Sequence, residues 1–453
     1  MRRLCVIAAL LVGGPVQAQV PDSIAQQDTV LTLRGAGSLL EQYNPDYRAA
    51  LASANAVGEG VWSAWGAVIP TVTAQATFGR NEFTTRSFVD PAGAAQELPE
   101  PLTSITKTAN AGLFLNWQVF DGGSRIFDIG ASNASARAAN YAALARLVLL
   151  QSQMASQYYE ALKQQELSRL SRDLLAARRR DLEVTQARFR IASAQQTDVL
   201  QAEVQVGQNE LAVLRTDQAA TAAKRDLSVM IGLQEDIDYE LRDTAAIFDP
   251  SLLRPIDLIN AARTANPELL RMDEEISAAN KRLWSARGTW LPNFSITLAL
   301  SKSEVLGPDG DIFNTDPRNS GNNLQFAFSW PLLAGFEKKW RTGQESARLQ
   351  EARQNKVAQI LDTDKEVKNA YDALIAAHQA VQLQDRNVQL ARESVRLATE
   401  RYQIGSISYI ELQNATNQAT EAERGLIEAR YDFMQSFARL QGAVGRPIQI
   451  PGQ

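Results

Sequence analysis

From Ala131 to Val206 the chain contains neither Gly nor Pro, and a second such stretch runs from Gln344 to Ile404. Both are rich in good helix formers. Sixty helical residues extend roughly 90 Å, about three times the width of a small domain. A single compact core cannot enclose such a rod, so each must pack along other long rods. Each stretch follows an alternating segment containing Trp, LFLNWQVFDGG and LQFAFSWPLLAGF. Each closes on a similar phrase, ARFRIASAQQTDVLQAE and ERYQIGSISYIELQNA. The pattern predicts a strand feeding a very long helix, twice.

The doubling extends beyond these stretches. Asn44-Pro45 recurs 222 residues later as Asn266-Pro267, and Ile69-Pro70 recurs at the same offset as Leu291-Pro292. Trp117 recurs 213 residues later as Trp330, Phe189 as Tyr402, and Gly232 as Gly445. The change of nine falls between Pro70 and Trp117, so one first-half loop is about nine residues longer. The chain divides into a first repeat, 19–232, a linker, 233–256, a second repeat, 257–445, and a tail, 446–453. The first repeat has strands at about 68–80 and 108–120 and long helices at about 122–191 and 196–231. The second has strands at about 290–302 and 323–333 and long helices at about 335–404 and 408–444. The linker, residues 19–33 and the tail together suggest a belt at mid-height.

The first eighteen residues read as a secretory leader. Arg2 and Arg3 precede the apolar run LCVIAALLV, and Val16-Gln17-Ala18 forms a small-residue cleavage site. Removing residues 1–18 takes the net charge from −5 to −7, because two Arg and no acid are lost. It also removes Cys5, the single cysteine, so no disulfide or cysteine metal site is expected. The acidic balance offers nothing to nucleic acid. No other segment has the apolar length of a membrane-spanning helix.

Four segments alternate with period two. Val72, Ala74, Ala76 and Phe78 oppose Thr71, Thr73, Gln75 and Thr77; Leu113, Leu115 and Trp117 oppose Gly112, Asn116 and Gln118. In the second half Ile296, Leu298 and Leu300 oppose Ser295, Thr297 and Ser301, and Phe326 and Phe328 oppose Gln325 and Ala327. The polar face is small and uncharged, and Trp117, Trp290 and Trp330 lie near strand ends. That suits a lipid-facing band with an aromatic girdle above a water-filled lumen. Polar stretches 80–107 and 302–322, with Pro91, Pro99, Pro101, Pro308 and Pro317, are expected to be long external loops. Four strands cannot close a barrel, since the smallest common ones need eight. An open edge in lipid is costly, so the chain must share its barrel with copies of itself.

The doubled plan, with RYQIGSISYIELQNATNQATEAERGLIEARYDFMQSFARLQGAVG and TDVLQAEVQVGQNELAVLRTDQAATAAKRDLSVMIGL, resembles the TolC family of outer-membrane efflux proteins over essentially the whole mature chain. The resemblance implies a mainly α protein with a membrane β-barrel portion. It implies a homotrimer whose twelve strands form one barrel in outer-membrane lipid, continuous with a periplasmic α-barrel closed at its tip. It further implies a passive duct, without cofactor or enzymatic activity, working with a periplasmic adaptor protein and an inner-membrane transporter.

By the same resemblance, function concentrates at the tip turns. Gly405 matches the glycine that opens one turn, while the first turn carries Ala192. Glu411 matches the first of two constriction acids, and Asn414 replaces the second. Asp198 and Tyr402 match a hydrogen-bonded pair that links the two helix hairpins. Ile407 replaces the arginine of a neighbouring link, which is therefore expected to be missing. Without the resemblance, Glu411 reads equally as a solvated helix carboxylate, Asp198 as a helix cap and Tyr402 as packing. His378 stands alone, and no phosphate loop, nucleophile elbow or metal spacing occurs. Arg178-Arg179-Arg180 reads as a solvated face or as partners for Asp181 and Glu183. The rival reading is an exported coiled-coil scaffold without a pore.

Overall fold

The computed structural model describes residues 30–191, 195–233, 239–242, 246–313 and 316–448. The expected leader and Ala192 lie outside them. The described elements are β1 (Val30–Leu31), α1 (Leu33–Tyr43), α2 (Pro45–Gly66), β2 (Thr71–Val89), β3 (Ala95–Phe120), α3 (Ser124–Arg190) and α4 (Gln196–Ile231). They continue with β4 (Glu240–Leu241), α5 (Pro255–Ala265), α6 (Pro267–Gly288), β5 (Asn293–Leu306), β6 (Asn319–Ser329), α7 (Glu337–Gln403) and α8 (Tyr409–Val444). Helix lengths recur in order: 11 and 11, 22 and 22, 67 and 67, 36 and 36 residues.

The recurring doublets have local causes. Asn44 and Asn266 cap α2 and α6, accepting from Tyr47 N and Glu268 N at 2.9 Å, and the following proline needs no donor partner at the first helical position. Gly232 and Gly445 end α4 and α8 at φ 91° and 82°, a conformation in which a side chain is strained.

The described residues fall into two compact units. One draws on Met1–Tyr43, Gln157–Ala246 and Leu390–Tyr431. Here β1 pairs in parallel with β4, joining the start of the first repeat to the linker. The buried Tyr158 hydroxyl lies 2.8 Å from the Leu31 carbonyl and 3.2 Å from that of Arg242, fastening both strands to α3.

The other unit draws on Asn44–Ser156, Ile247–Gln389 and Asp432–Gln453. Phe248 sits edge-on to Phe433 and Phe437, with ring centroids 5.3 and 5.0 Å away. His378 packs nearby, 5.9 Å from the Phe433 ring. Arg137 forks onto Glu274 at 2.9 and 2.8 Å, tying α3 to α6. On α7 every seventh residue from Val367 through Leu374 and Val381 to Val388 is buried, the period of a coiled-coil seam.

This unit carries a four-stranded antiparallel sheet in the order β2-β3-β5-β6. Its register aligns the two kinds of face across all four strands. Val72, Leu115, Leu298 and Leu324 form one apolar row, and Trp117, Ile296 and Phe326 form the next. Thr71, Asn116, Thr297 and Gln325 form a polar row, within which Thr297 Oγ1 donates to Asn116 Oδ1 at 3.2 Å. The apolar rows turn polar at Arg80 on β2, Lys107 on β3, Lys302 on β5 and Asn322 on β6. Trp117 and Trp330 donate from Nε1 to the carbonyls of Val68 and Trp290 at 3.0 and 3.2 Å, so both rings sit at strand ends.

The expected loops need correction. Most of 80–107 is strand, because β2 continues to Val89 and β3 begins at Ala95. The turn between them is built on Asp90, whose Oδ1 accepts from Ala92 N and Ala94 N, each at 2.9 Å. Pro99 and Pro101 lie where the register slips between the Ser87–Glu97 and Thr85–Leu102 pairs, so neither has to donate to the ladder. Likewise, 302–322 keeps β5 as far as Leu306 and starts β6 at Asn319. The strand expected to reach 333 stops at Ser329, before Pro331. The helix expected from 335 starts at Glu337, because Gly335 turns at φ 59°.

Several apolar residues among those described are exposed. They include Leu383, Leu390 and Leu397 on α7 and Ile404 just after it, again spaced by seven, and Leu200, Val204, Leu211 and Leu214 on α4. On α2 only Ala54 is buried, while Leu51, Val57, Trp62 and Trp65 are exposed. Among the described residues no helix is long and apolar enough to cross a membrane.

The strand-to-helix junction at Gly122 and Gly123 yields a test. Both have positive φ, 73° and 82°, but a β-carbon at Gly122 would stand 2.0 Å from the Gly288 carbonyl oxygen. At Gly123 the nearest atom would be 3.8 Å away. Gly123→Ala should cost about 1–3 kcal/mol from backbone strain alone, and Gly122→Ala distinctly more. Thermal unfolding of the two variants checks the order.

Candidate functional site

The turn between α7 and α8 is made by sequence-local chemistry. Gly405 takes φ 75°, its N–H reaches the Tyr402 carbonyl at 3.1 Å, and Ser406 N reaches the Arg401 carbonyl at 2.8 Å. This crossed pattern satisfies the last carbonyls of α7. Ser408 then starts α8, its Oγ accepting from Glu411 N at 3.3 Å. Glu411 and Asn414 are exposed and lie three residues apart, hence on one side of α8. Neither has a side-chain hydrogen bond among the described residues, so both remain available to solvent, ions or another chain.

At the other turn Asp198 occupies the third position of α4. Its Oδ2 accepts from Gln195 N at 3.1 Å, the carboxylate half of a capping box. The expected Asp198–Tyr402 hydrogen bond is not made within the chain. Instead the Arg188 guanidinium lies over the Tyr402 ring at 5.0 Å, and Tyr409 lies 5.9 Å from it. Arg188 belongs to α3 and Tyr402 to α7, so this contact links the two helix hairpins.

A second link comes from the arginine run. Arg178 is buried, with its side chain 8% exposed. Its Nη2 donates to Asn417 Oδ1 on α8 at 3.1 Å, and its Nη1 stands 3.6 Å from Asp181. Arg179, by contrast, is exposed and pairs with Glu210 at 2.8 Å. Burial raises the Asp181 carboxyl above the usual range, with Arg178 opposing it. The half-buried Tyr409 phenol is also pushed up, first by burial and then by the Asp181 charge. Among the described residues no cluster of three His, Cys, Asp or Glu could hold a metal ion.

The model of the family described as outer membrane efflux protein matches residues 36–233 and 258–446. The chain belongs to the outer membrane efflux protein family. Members of this family are outer-membrane channels rather than enzymes, and the present chain is accordingly an outer-membrane protein with an efflux or secretion channel role.

Two curated relatives are similar to this efflux-family chain. One is the alkaline protease secretion protein AprF of Pseudomonas aeruginosa, 21% identical over 294 residues. That match covers 64% of this chain and 60% of AprF. The other is the outer membrane protein TolC of Vibrio cholerae, 24% identical over 425 residues, covering 90% of this chain and 91% of TolC. Among solved structures, the outer-membrane channel OprN superposes with a TM-score of 0.72 at 17% identity, covering 92% of this chain and 90% of OprN. VceC of Vibrio cholerae gives 0.72 at 17%, covering 91% and 96%. These structures show the fold.

Arg178 and Asn417 were not singled out as a site by sequence reasoning. They are 239 residues apart, and an Arg triplet beside acids gives no sign of which member is buried. The position of Asp181, three residues after Arg178, was the one available signal. Arg178→Ala removes the buried guanidinium and with it the charged donor to Asn417, and should cost about 1–3 kcal/mol. Arg179→Ala removes an exposed pair and should cost at most about 1 kcal/mol. Thermal melts of the detergent-solubilised variants compare the two. Tyr402→Phe, which keeps the ring under Arg188, should match the parent.

Proposed function

We propose that this protein is the outer-membrane exit duct of an export system. Three copies share one twelve-stranded barrel, and their long helices line a channel on the periplasmic side. The observation that carries this reading is the pair of free edges on a sheet with one continuous apolar face. β2 offers a 19-residue edge and β6 an 11-residue edge, and each pairs on one side only. In hydrocarbon every unpaired backbone group costs several kcal/mol, so those edges need each other across neighbouring copies. The exposed sevenfold stripe on α7 and the apolar faces of α2 and α4 ask for the same neighbours. The number three follows the likeness to TolC.

A passive duct draws its cargo and driving force from elsewhere, hence a periplasmic adaptor and an inner-membrane transporter as partners. AprF is named for the secretion of an alkaline protease, which keeps secretion open here beside efflux. A pore-free scaffold would not need an apolar sheet face with open edges. In detergent the mature chain should run as a heat-sensitive trimer by light scattering coupled to size exclusion. A stable monomer would remove the barrel.

The gate is proposed at the turns. Three Glu411 side chains near the axis form a negative ring that favours cations, bordered by the uncharged Asn414. Gly405 shapes one turn and Asp198 caps the helix that leaves the other, while Tyr402, through Arg188, holds the hairpins beside one another. Glu411→Gln removes three charges with little change of volume. In planar bilayers it should lower cation selectivity and weaken divalent-cation block while trimer yield holds. Unchanged selectivity would make Glu411 an ordinary surface carboxylate.

A further inference from the structure

We infer that the sheet-lined part of the pore does not select by charge, and that it passes organic solutes of either sign. The inference rests on the barrel reading above.

The register supplies the argument. The polar face is set by alternate residues, Thr71 to Thr77 on β2, Asn110 to Gln118 on β3, Asn293 to Ser303 on β5 and Asn319 to Ser329 on β6. Every position in that set is Ser, Thr, Asn, Gln, Gly, Ala or Phe. None is charged, in a chain of which 21% of residues are. Within the regular register the charges of these strands lie on the opposite face, at Arg80, Glu82, Lys107, Lys302 and Glu304, beyond the apolar rows; Arg86, Glu97 and Glu100 lie further out, around the register shift. Uncharged composition is thus a property of one face, not of the strands.

Charge selection in a pore needs rings of fixed charge on its wall. A wall of hydroxyls and amides offers donors and acceptors in equal measure and sets up no net potential. It also lacks carboxylate, imidazole, thiolate and thioether, the donors that would pass a transition-metal ion from site to site. Thr297 and Asn116 bond to each other across strands, so part of the wall is already self-satisfied and has little hold on a passing solute. Gly112 and Gly321 fall in one row with Gln75 and Ser301, leaving that level open.

The test reads the sheet from outside, independently of the tip. In a Cys5→Ser background, Thr297→Cys and Asn116→Cys are exposed on intact cells to two methanethiosulfonates, one cationic (trimethylammonium-ethyl) and one anionic (sulfonatoethyl). Rates are normalised to those of a free thiol. The expected cation-to-anion ratio is within about twofold of the free thiol, since a wall potential of several kT would shift it tenfold or more. Adding Gln325→Glu, directly opposite Thr297 in the register, should shift the ratio several-fold toward the cationic reagent. A strong bias at Thr297→Cys and Asn116→Cys overturns the inference, as does no response to Gln325→Glu. Leu298→Cys, on the apolar face, should stay unreacted. If it reacts as fast as Thr297→Cys, the barrel reading itself fails.

Discussion

A strand edge cannot be left open in hydrocarbon, and much else in this molecule follows from that. The sheet has two edges, both long, and its apolar face is continuous from β2 to β6. A soluble protein would blunt such edges with charge, proline or a covering helix. Here Pro99 and Pro101 lie in β3, away from both edges, and the β6 edge runs through Leu324, Phe326 and Phe328. The edges are made for pairing. In the proposed assembly that pairing is made with another copy, and the exposed apolar residues of α2, α4 and α7 offer such a neighbour further surface.

The fold was legible wherever local chemistry decides it. The Asn-Pro doublets, the glycines that close helices and the strict alternation in the strands all report geometry within a few residues. The reading failed where pairing overrides composition. Residues 80–107 carry the prolines, glycines and polar residues of a loop, yet cross-strand bonding extends the hairpin far into them. The prolines are tolerated because the register slips at that point. β6 and α7 were misjudged by a few residues for the opposite reason, since Pro331 and Gly335 exert their local effect despite the surrounding pattern.

The candidate site was legible in outline. Gly405 and the start of α8 at Ser408 follow from local sequence, and the positions of Glu411 and Asn414 on one helical side follow from spacing. The links between hairpins were not. Asp198 spends its carboxylate on the end of its own helix, and Tyr402 receives an arginine from α3 on its ring. Arg178 shows why: burying a guanidinium is tolerable only when its donors find acceptors, and beside the local Asp181 the other acceptor, Asn417, comes from a helix more than two hundred residues away in sequence. Nothing in a single sequence reports that pairing.

The slanted border of the apolar rows carries a further consequence. On β6 the last apolar residue, Leu324, shares a row with Leu115, whereas on β2 the last one, Phe78, pairs with Ala109. Across three strand spacings, about 14 Å, the border therefore climbs six residues, about 20 Å. If that border follows the membrane surface, the strands lean from the bilayer normal by about 55°, beyond the usual range for barrels. The inclination of the strands, and with it the girth of the pore, is thus written in where each strand changes from apolar to polar.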